Sequence, residues 1–476
     1  MQLLTRKLTQ KSAPTERILQ FGTGNFLKGF VNAIVDEMNT QHDFDAGIVA
    51  VKLRPGNQQQ IDRINAQDGL FTLNIRGVEN GVIVDQCKLV GCQTRAINPY
   101  QDCDAFFATA TQETLSWVIS NTTEAGIHFD QNAALNDTPA LSFPAKLTQW
   151  LYARFQHFDG SAQHAVNVIC CELIENNAVV LKDMLLHHAT EWQLPVSFHT
   201  WLNEQCQFFN SLVDRIVPGR PSEDVCQVIQ QKQGYRDDEL LEAEPYCLWA
   251  IQVPNNQQAQ FKKIFPTSNI SSVVIADDLS YYRERKVRLL NGPHTATANL
   301  ALLLKIETVY QATCNERIAA FMQDLMQQEI MPLLGGDVEE LTTYAQDIYQ
   351  RFANPFLKHE WRAISMNSLS KWRARLLPLV KAAEQQGRVP ERLIGSMVCL
   401  LCVYRNPEWV NDGDYQAPLF SSLASNNIEE VVTEILANEK LWGENLNAWP
   451  IFKSGVLHGL HRVLDHGIDT YLTELS

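Results

Sequence analysis

Residues 17–53 constrain the fold more than any other stretch. A short strand-like run, RILQF at 17–21, breaks at Gly22-Thr23-Gly24. Phe26, Phe30, Ile34 and Met38 then recur at helical spacing, and a second strand-like run, GIVAVKL, fills 47–53. Strand, glycine turn, amphipathic helix and second strand suit a dinucleotide. The glycines let the backbone approach a pyrophosphate, and the helix start offers free N–H groups and a positive dipole end. Lys28 adds a charge in the first turn. The third glycine of the usual fingerprint is missing: position 27 is leucine and the next glycine is Gly29. Taken alone, the motif fits an ordinary strand-to-helix turn equally well.

The pattern continues as α/β. Residues 70–76 and 82–90 alternate in period two around Asn80-Gly81, which predicts a hairpin. LSWVIS (115–120) and AVNVICC (165–171) read as further strands. From Lys286 onward nearly every segment reads as helix. The expected organisation is a Rossmann-like dinucleotide-binding domain over 1–283 and a mostly α-helical domain over 284–476, with the boundary near 280–285. At 476 residues two domains are the default for a chain of this length.

The formal charge of −15 argues against a nucleic-acid partner, which needs a basic surface. The start, MQLLTRKLTQKSAP, lacks the apolar core of a signal peptide. The longest apolar stretch, Leu393 to Tyr404, is too short to span a bilayer. Eleven cysteines are scattered without a framework, which fits reduced thiols and a cytoplasmic protein. Cys399 and Cys402 read as core residues of a helix, and His458, His461 and His466 as a solvated helix face; no metal site is expected. The sequence says nothing about oligomeric state.

The sharpest signal is Lys286-Val-Arg-Leu-Leu-Asn291-Gly-Pro-His294. On an α-helix these three side chains fall at about 0°, 140° and 80°, on one face. Pro293 cannot donate to the Leu289 carbonyl, so a kink with a freed acceptor is expected. A surface lysine followed by a capping asparagine is the plainer alternative. Burial lowers a lysine pKa, and a neutral amine accepts a proton from an alcohol. Asparagine amides donate to an alkoxide-like oxygen without changing charge. Tyr282 and Lys286 also fit the Tyr-x-x-x-Lys pattern of short-chain dehydrogenases, but the Gly-x-x-x-Gly-x-Gly turn of that family is absent.

Lysine, asparagine five on and histidine three further resemble the signature of the polyol-specific long-chain dehydrogenases, the mannitol dehydrogenase family. ILQFGTGNFLKGF (18–30), SNTTEAGI (120–127), CELIENN (171–177), SLVDRIVP (211–218) and RFANPFLKH (351–359) resemble the same family, in family order. The resemblance implies an NAD-dependent, metal-independent oxidation of a secondary alcohol on a small sugar-derived acid. It implies Lys286 as general base, with Asn291 and Asn177 as oxyanion donors; Asn176 rivals Asn177. His294 is implied to hydrogen-bond the reacting oxygen or its neighbour, and Asp214 to lie near the substrate. Gly22, Gly24, Asn25, Phe26 and Lys28 are implied to hold the cofactor with Arg54, Thr123 and Glu124. No acid follows Leu53-Arg54, so selectivity for NAD over its 2′-phosphate is expected to be reduced. The segment 351–378 is densely basic, containing Lys358, His359, Arg362, Lys371, Arg373 and Arg375. Lys358 and His359, inside the family motif, are the expected carboxylate partners. A catalytically silent nucleotide-binding scaffold is the rival reading, and the complete Lys-Asn-His set speaks against it.

Overall fold

The computed structural model describes residues 1–413, 420, 423 and 427–475. The chain forms two units: Met1–Arg76 with Val84–Leu279, and Gly77–Ile83 with Ser280–Ser476.

The first unit is built on β1 (Glu16–Phe21), whose last four residues are buried. It pairs in parallel with β2 (Gly47–Val51) on one side. β3 (Phe71–Glu79) and β4 (Val82–Val90) form the expected hairpin, joined by Asn80 and Gly81 at φ 52 and 75. Positive φ at both turn positions is what a two-residue turn needs to match strand twist. β5 (Gln93–Ile97) lies outside β2. On the other side of β1 follow β6 (Trp117–Ser120), β7 (Asn167–Cys170) and β8 (Gln207–Phe209), all parallel. The order β5-β2-β1-β6-β7-β8 is the 3-2-1-4-5-6 arrangement of dinucleotide-binding folds, with its switch point between β1 and β6.

Both faces of this sheet are covered, so its central strands are largely apolar on both sides. Ile18, Ile48, Trp117 and Ile169 join one core cluster; Leu19, Val49, Val118 and Val168 join another. β9 (Ser211–Asp214) and β11 (Leu248–Gln252) pair antiparallel, and β12 (Val273–Ala276) pairs in parallel with β11. β10 (Leu241–Ala243) extends the hairpin sheet beside β3.

Helix α1 covers 25–42, with a π turn at Lys28–Asn32 between Asn25–Leu27 and Ala33–His42. The missing third glycine has a substitute here. A Cβ on Gly29 would lie 2.7 Å from Val217 Cγ1 and 3.2 Å from Leu241 Cδ2, so Gly29 permits the close packing that the fingerprint assigns to its third glycine.

Helix α2 (Asn177–Glu191) buries His188 completely, with ring centroids 4.6 Å from Phe129 and 5.1 Å from Trp192. Neither ring nitrogen has a hydrogen-bond partner among the described residues. Burial pulls its pKa down to about 4; His187 and His128 add to the drop and Asp130 opposes it. The folded pKa lies below the ordinary value, so the unfolded chain binds more protons between pH ~6.5 and the folded pKa. Stability is therefore expected to fall as pH drops through that window, by on the order of 2 kcal/mol. Thermal melts from pH 7 to 4 check this. His188→Leu should flatten the slope, and an unchanged slope assigns the acid lability to other groups.

The second unit is helical at its core. Helix α3 runs over 280–303: Ser280–Arg285 is α-helical, Lys286–Asn291 is a π turn, and Gly292–Leu303 is α-helical again. α4 (Val338–Phe352), α5 (Ser368–Arg375) and α6 (Glu391–Tyr404) follow. Cys399 is buried in α6 and Cys402 partly so. His458, His461 and His466 are exposed on the helix Pro450–His466. Among the described residues no helix is long and apolar enough to cross a membrane, and none group into a cluster of three or more His, Cys, Asp or Glu able to hold a metal ion.

Candidate active site

In the first unit the glycine turn leaves β1 at the switch point. Gly22 has φ +134 and donates its N–H to the Val51 carbonyl at 2.9 Å; only glycine adopts such a φ readily. Thr23 and Gln60 exchange two hydrogen bonds, of 3.2 and 3.0 Å, which fix the turn. Gly24 caps α1 with an ordinary φ of −74 and no side-chain cap. A Cβ there would meet nothing within 4 Å. The first-turn N–H groups of a helix have no intrahelical partners, so this end is open to an anion. Asn25 is exposed, and Phe26 is half-buried and stacked on Phe30 at 5.0 Å.

Across the switch point, Ser120 Oγ and the Thr122 N–H both donate to Glu172, at 3.1 and 2.9 Å. Burial raises the pKa of that carboxyl. Glu172 thus shapes the loop that carries Thr123, which is exposed; the sequence reading missed this role. Glu124 opens a short 3-10 turn, and its side chain lies outside the described residues. Arg54 is exposed just beyond β2. Beside it the Leu53 carbonyl accepts from Lys146 Nζ at 3.0 Å and Tyr100 Oη at 2.6 Å. Burial lowers the Lys146 pKa to about 7.

Two expected residues of this unit are engaged elsewhere. Lys28 is buried, with Nζ 2.8 Å from Glu239 Oε2, and lies 4.6 Å from the centre of the Phe71 ring. Its charge answers Glu239, not a phosphate. Asn177 is likewise committed. Its amide nitrogen donates to the carbonyls of Cys170, Glu172 and Ser211 at 2.9, 3.0 and 2.9 Å, and its Oδ1 accepts from Ser211 N at 3.1 Å. No donor is left over for a reacting oxygen, so the geometry makes Asn177 a clamp between β7, α2 and β9. Its rival Asn176 is the αL N-cap of α2. Asp214 is buried at the end of β9, while Arg215 beside it donates to the carbonyls of Gly29 and Glu244.

In the second unit Lys286 opens and Asn291 closes a π turn, and His294 lies in the α-helix that follows it. The expected freed acceptor at Pro293 takes the form of this turn, which replaces the uniform α-helical phase. A π turn puts residues five apart in backbone hydrogen-bonding register, the spacing of Lys286 and Asn291, and His294 follows three residues on. Both sides of the turn are anchored. Arg285 pairs with Glu340 at 2.5 Å and lies 4.1 Å from the centre of the Tyr344 ring. Arg288 pairs with Glu284 at 2.7 Å and donates to the carbonyls of Ala374 and Arg375.

His294 is buried against Phe352 at 4.2 Å and His359 at 5.0 Å. A ring N–H donates to the Leu290 carbonyl, and Nε2 has no partner among the described residues. Burial holds its pKa well below the ordinary range, helped by His359, Arg351 and Arg375. A neutral ring with Nδ1 donating leaves Nε2 as an acceptor. Burial also lowers the His359 pKa. Lys358 points elsewhere: it is 76% exposed and pairs with Glu360 at 2.9 Å, so nothing sets it apart from an ordinary surface lysine.

Residues 16–263 match the mannitol dehydrogenase Rossmann domain, and residues 278–464 match the mannitol dehydrogenase C-terminal domain. The altronate oxidoreductase of Bacillus subtilis is 37% identical over 463 residues, which cover 96% of this chain and 95% of the relative. That of Bacteroides thetaiotaomicron is 37% identical over 478 residues, 98% of each chain. The mannitol 2-dehydrogenase of Pseudomonas fluorescens, solved as a ternary complex with NAD and D-mannitol, shares the fold. Its TM-score is 0.68 at 21% identity, over 100% of this chain and 99% of that one. The protein is therefore an oxidoreductase, a dehydrogenase that acts on a secondary alcohol. It belongs to the mannitol dehydrogenase family.

Proposed function

We propose that the protein interconverts D-altronate and D-tagaturonate with NAD, in hexuronate catabolism in the cytoplasm. The observation that carries the chemistry is the π turn, which runs from Lys286 to Asn291 and is followed by a buried His294 whose Nε2 has no partner among the described residues. The altronate oxidoreductases at 37% identity over nearly the whole chain support the substrate.

Lys286 takes the proton of the substrate hydroxyl, Asn291 donates to the oxygen as charge develops, and His294 Nε2 accepts a hydrogen bond from the hydroxyl or its neighbour. Bound NAD supplies the nicotinamide carbon that accepts hydride. Gly22, Gly24, the first turn of α1 with Asn25 and Phe26, and Thr123 would hold it; Arg54 would lie by the adenosine ribose. The open space at Gly24 fits a pyrophosphate, and the switch-point topology supports the same placement. Exposed Arg54 and the absence of an acid after β2 lead us to expect measurable use of NADPH, below that of NADH. All 11 cysteines are free thiols, in keeping with a reducing compartment.

Gly24→Ala separates cofactor binding from folding. Alanine is at ease at this φ and meets no atom, so the melting temperature should hold. NADH affinity should drop roughly tenfold, because the methyl occupies the space the pyrophosphate approaches. NADH fluorescence titration reads this, and undiminished affinity removes the turn from the cofactor site.

The substrate is tested by following NADH consumption with D-tagaturonate, D-fructuronate and D-fructose. Tagaturonate should give the highest kcat/KM. A preference for fructuronate or fructose keeps the family but overturns the substrate.

A further inference from the structure

Arg375 ends α5 and is only partly exposed. Its Nη1 donates to Thr295 Oγ1 at 3.0 Å, and that hydroxyl donates to the Asn291 carbonyl at 2.9 Å. One side chain therefore links Arg375 to the catalytic turn. Three buried arginines of this unit pair with carboxylates: Arg285 with Glu340, Arg288 with Glu284, and Arg392 with Asp324 and Glu329. Arg375 has no carboxylate within ion-pair distance among the described residues, and burial alone accounts for its lowered pKa. A guanidinium carries five N–H donors in a fork shaped for a carboxylate; the threonine takes one.

A second vacancy for hydrogen bonding lies next along the chain from Thr295. His294, 7% exposed, keeps Nε2 without a partner. Arg351, itself buried, is close enough to lower the protonation of the same ring. A half-buried, uncompensated cation in a chain of charge −15 is costly unless an anion completes it.

We propose that Arg375 is the specificity-determining residue of the site, pairing with the carboxylate of the sugar acid. This rests on the sugar-acid reading above. The role passes from Lys358, which is solvated and already paired, to a residue of the same basic stretch; His359 remains beside His294 as a neutral neighbour.

The test uses three ketoses that differ only at the far end: D-tagaturonate, neutral D-tagatose, and D-tagatose 6-phosphate. kcat/KM is measured with NADH for the wild type, Arg375→Gln and Arg375→Lys. In the wild type, tagaturonate should be preferred. Arg375→Gln should lower the tagaturonate-to-tagatose ratio of kcat/KM roughly 10²-fold, mostly through a raised KM for tagaturonate. Arg375→Lys, which keeps the charge and loses the fork, should fall between. An unchanged tagaturonate-to-tagatose ratio in either folded variant overturns the role of Arg375 and leaves the substrate reading standing. No wild-type preference for tagaturonate over tagatose overturns the substrate reading itself. A wild type that prefers the 6-phosphate, and loses that preference in Arg375→Gln, overturns the carboxylate in favour of a phosphate. Should Arg375→Gln fail to fold, Arg375→Lys carries the test: a ratio lowered at least about fivefold supports the proposal, and an unchanged one overturns it.

Discussion

Replacing Lys286 by alanine is expected to lower kcat for alcohol oxidation by roughly 10²–10⁴-fold, the range for a general base, with NADH affinity nearly unchanged. The amine acts in the transition state, so its loss appears in kcat and kcat/KM together. In the wild type the oxidation rate should rise with pH through one ionisation, because only the neutral amine accepts the proton. That limb should vanish in Lys286→Ala. Stopped-flow or steady-state rates from pH 6 to 10 decide it. A variant with near-normal turnover removes Lys286 from the chemistry and directs attention to Tyr282, one helical turn earlier.

The second large effect is on stability. Asn177→Ala should destabilise the first unit by roughly 3 kcal/mol, since it strands several buried carbonyls and the Ser211 N–H at once. The folded fraction should keep close to wild-type kcat. Thermal melts paired with active-site-normalised turnover separate this from the alternative. An oxyanion donor would behave the other way, with an unchanged melt and kcat down roughly 10²–10³-fold.

Asn177 also shows where the sequence stops being legible. Its family position can be found by matching CELIENN, yet its work depends on Ser211, 34 residues away. Lys28 is the same case: a lysine in the first turn of a glycine-loop helix suggests phosphate, and its partner Glu239 lies 211 residues on. Charge at a position is visible in a sequence, whereas the identity of a distant partner is not. Arg375 is a third case. It is one of several basic residues in one stretch, and what sets it apart is its hydrogen bond to Thr295, 80 residues away and beside the π turn.

Local signals fared better. The Gly-x-Gly turn, the Asn80-Gly81 hairpin and the first two sheet strands rest on period and turn chemistry within a few residues, and they appear within a few residues of where the pattern puts them. β8, β9 and β10 are three or four residues long, too short for periodicity to register. Pro293 announced a broken hydrogen-bond ladder, but a missing N–H does not specify whether the helix kinks or widens. It widened into a π turn, which aligns Lys286 with Asn291 more closely than the α-helical phase would.

The most direct test of the account follows the hydride itself. NADH deuterated at the transferring C4 position is incubated with D-tagaturonate, and the product is examined by NMR. Deuterium bonded to the new carbinol carbon of D-altronate is the predicted result, in the wild type and, more slowly, in Arg375→Lys. Altronate formed without deuterium at that carbon, or no altronate at all, would contradict the assignment.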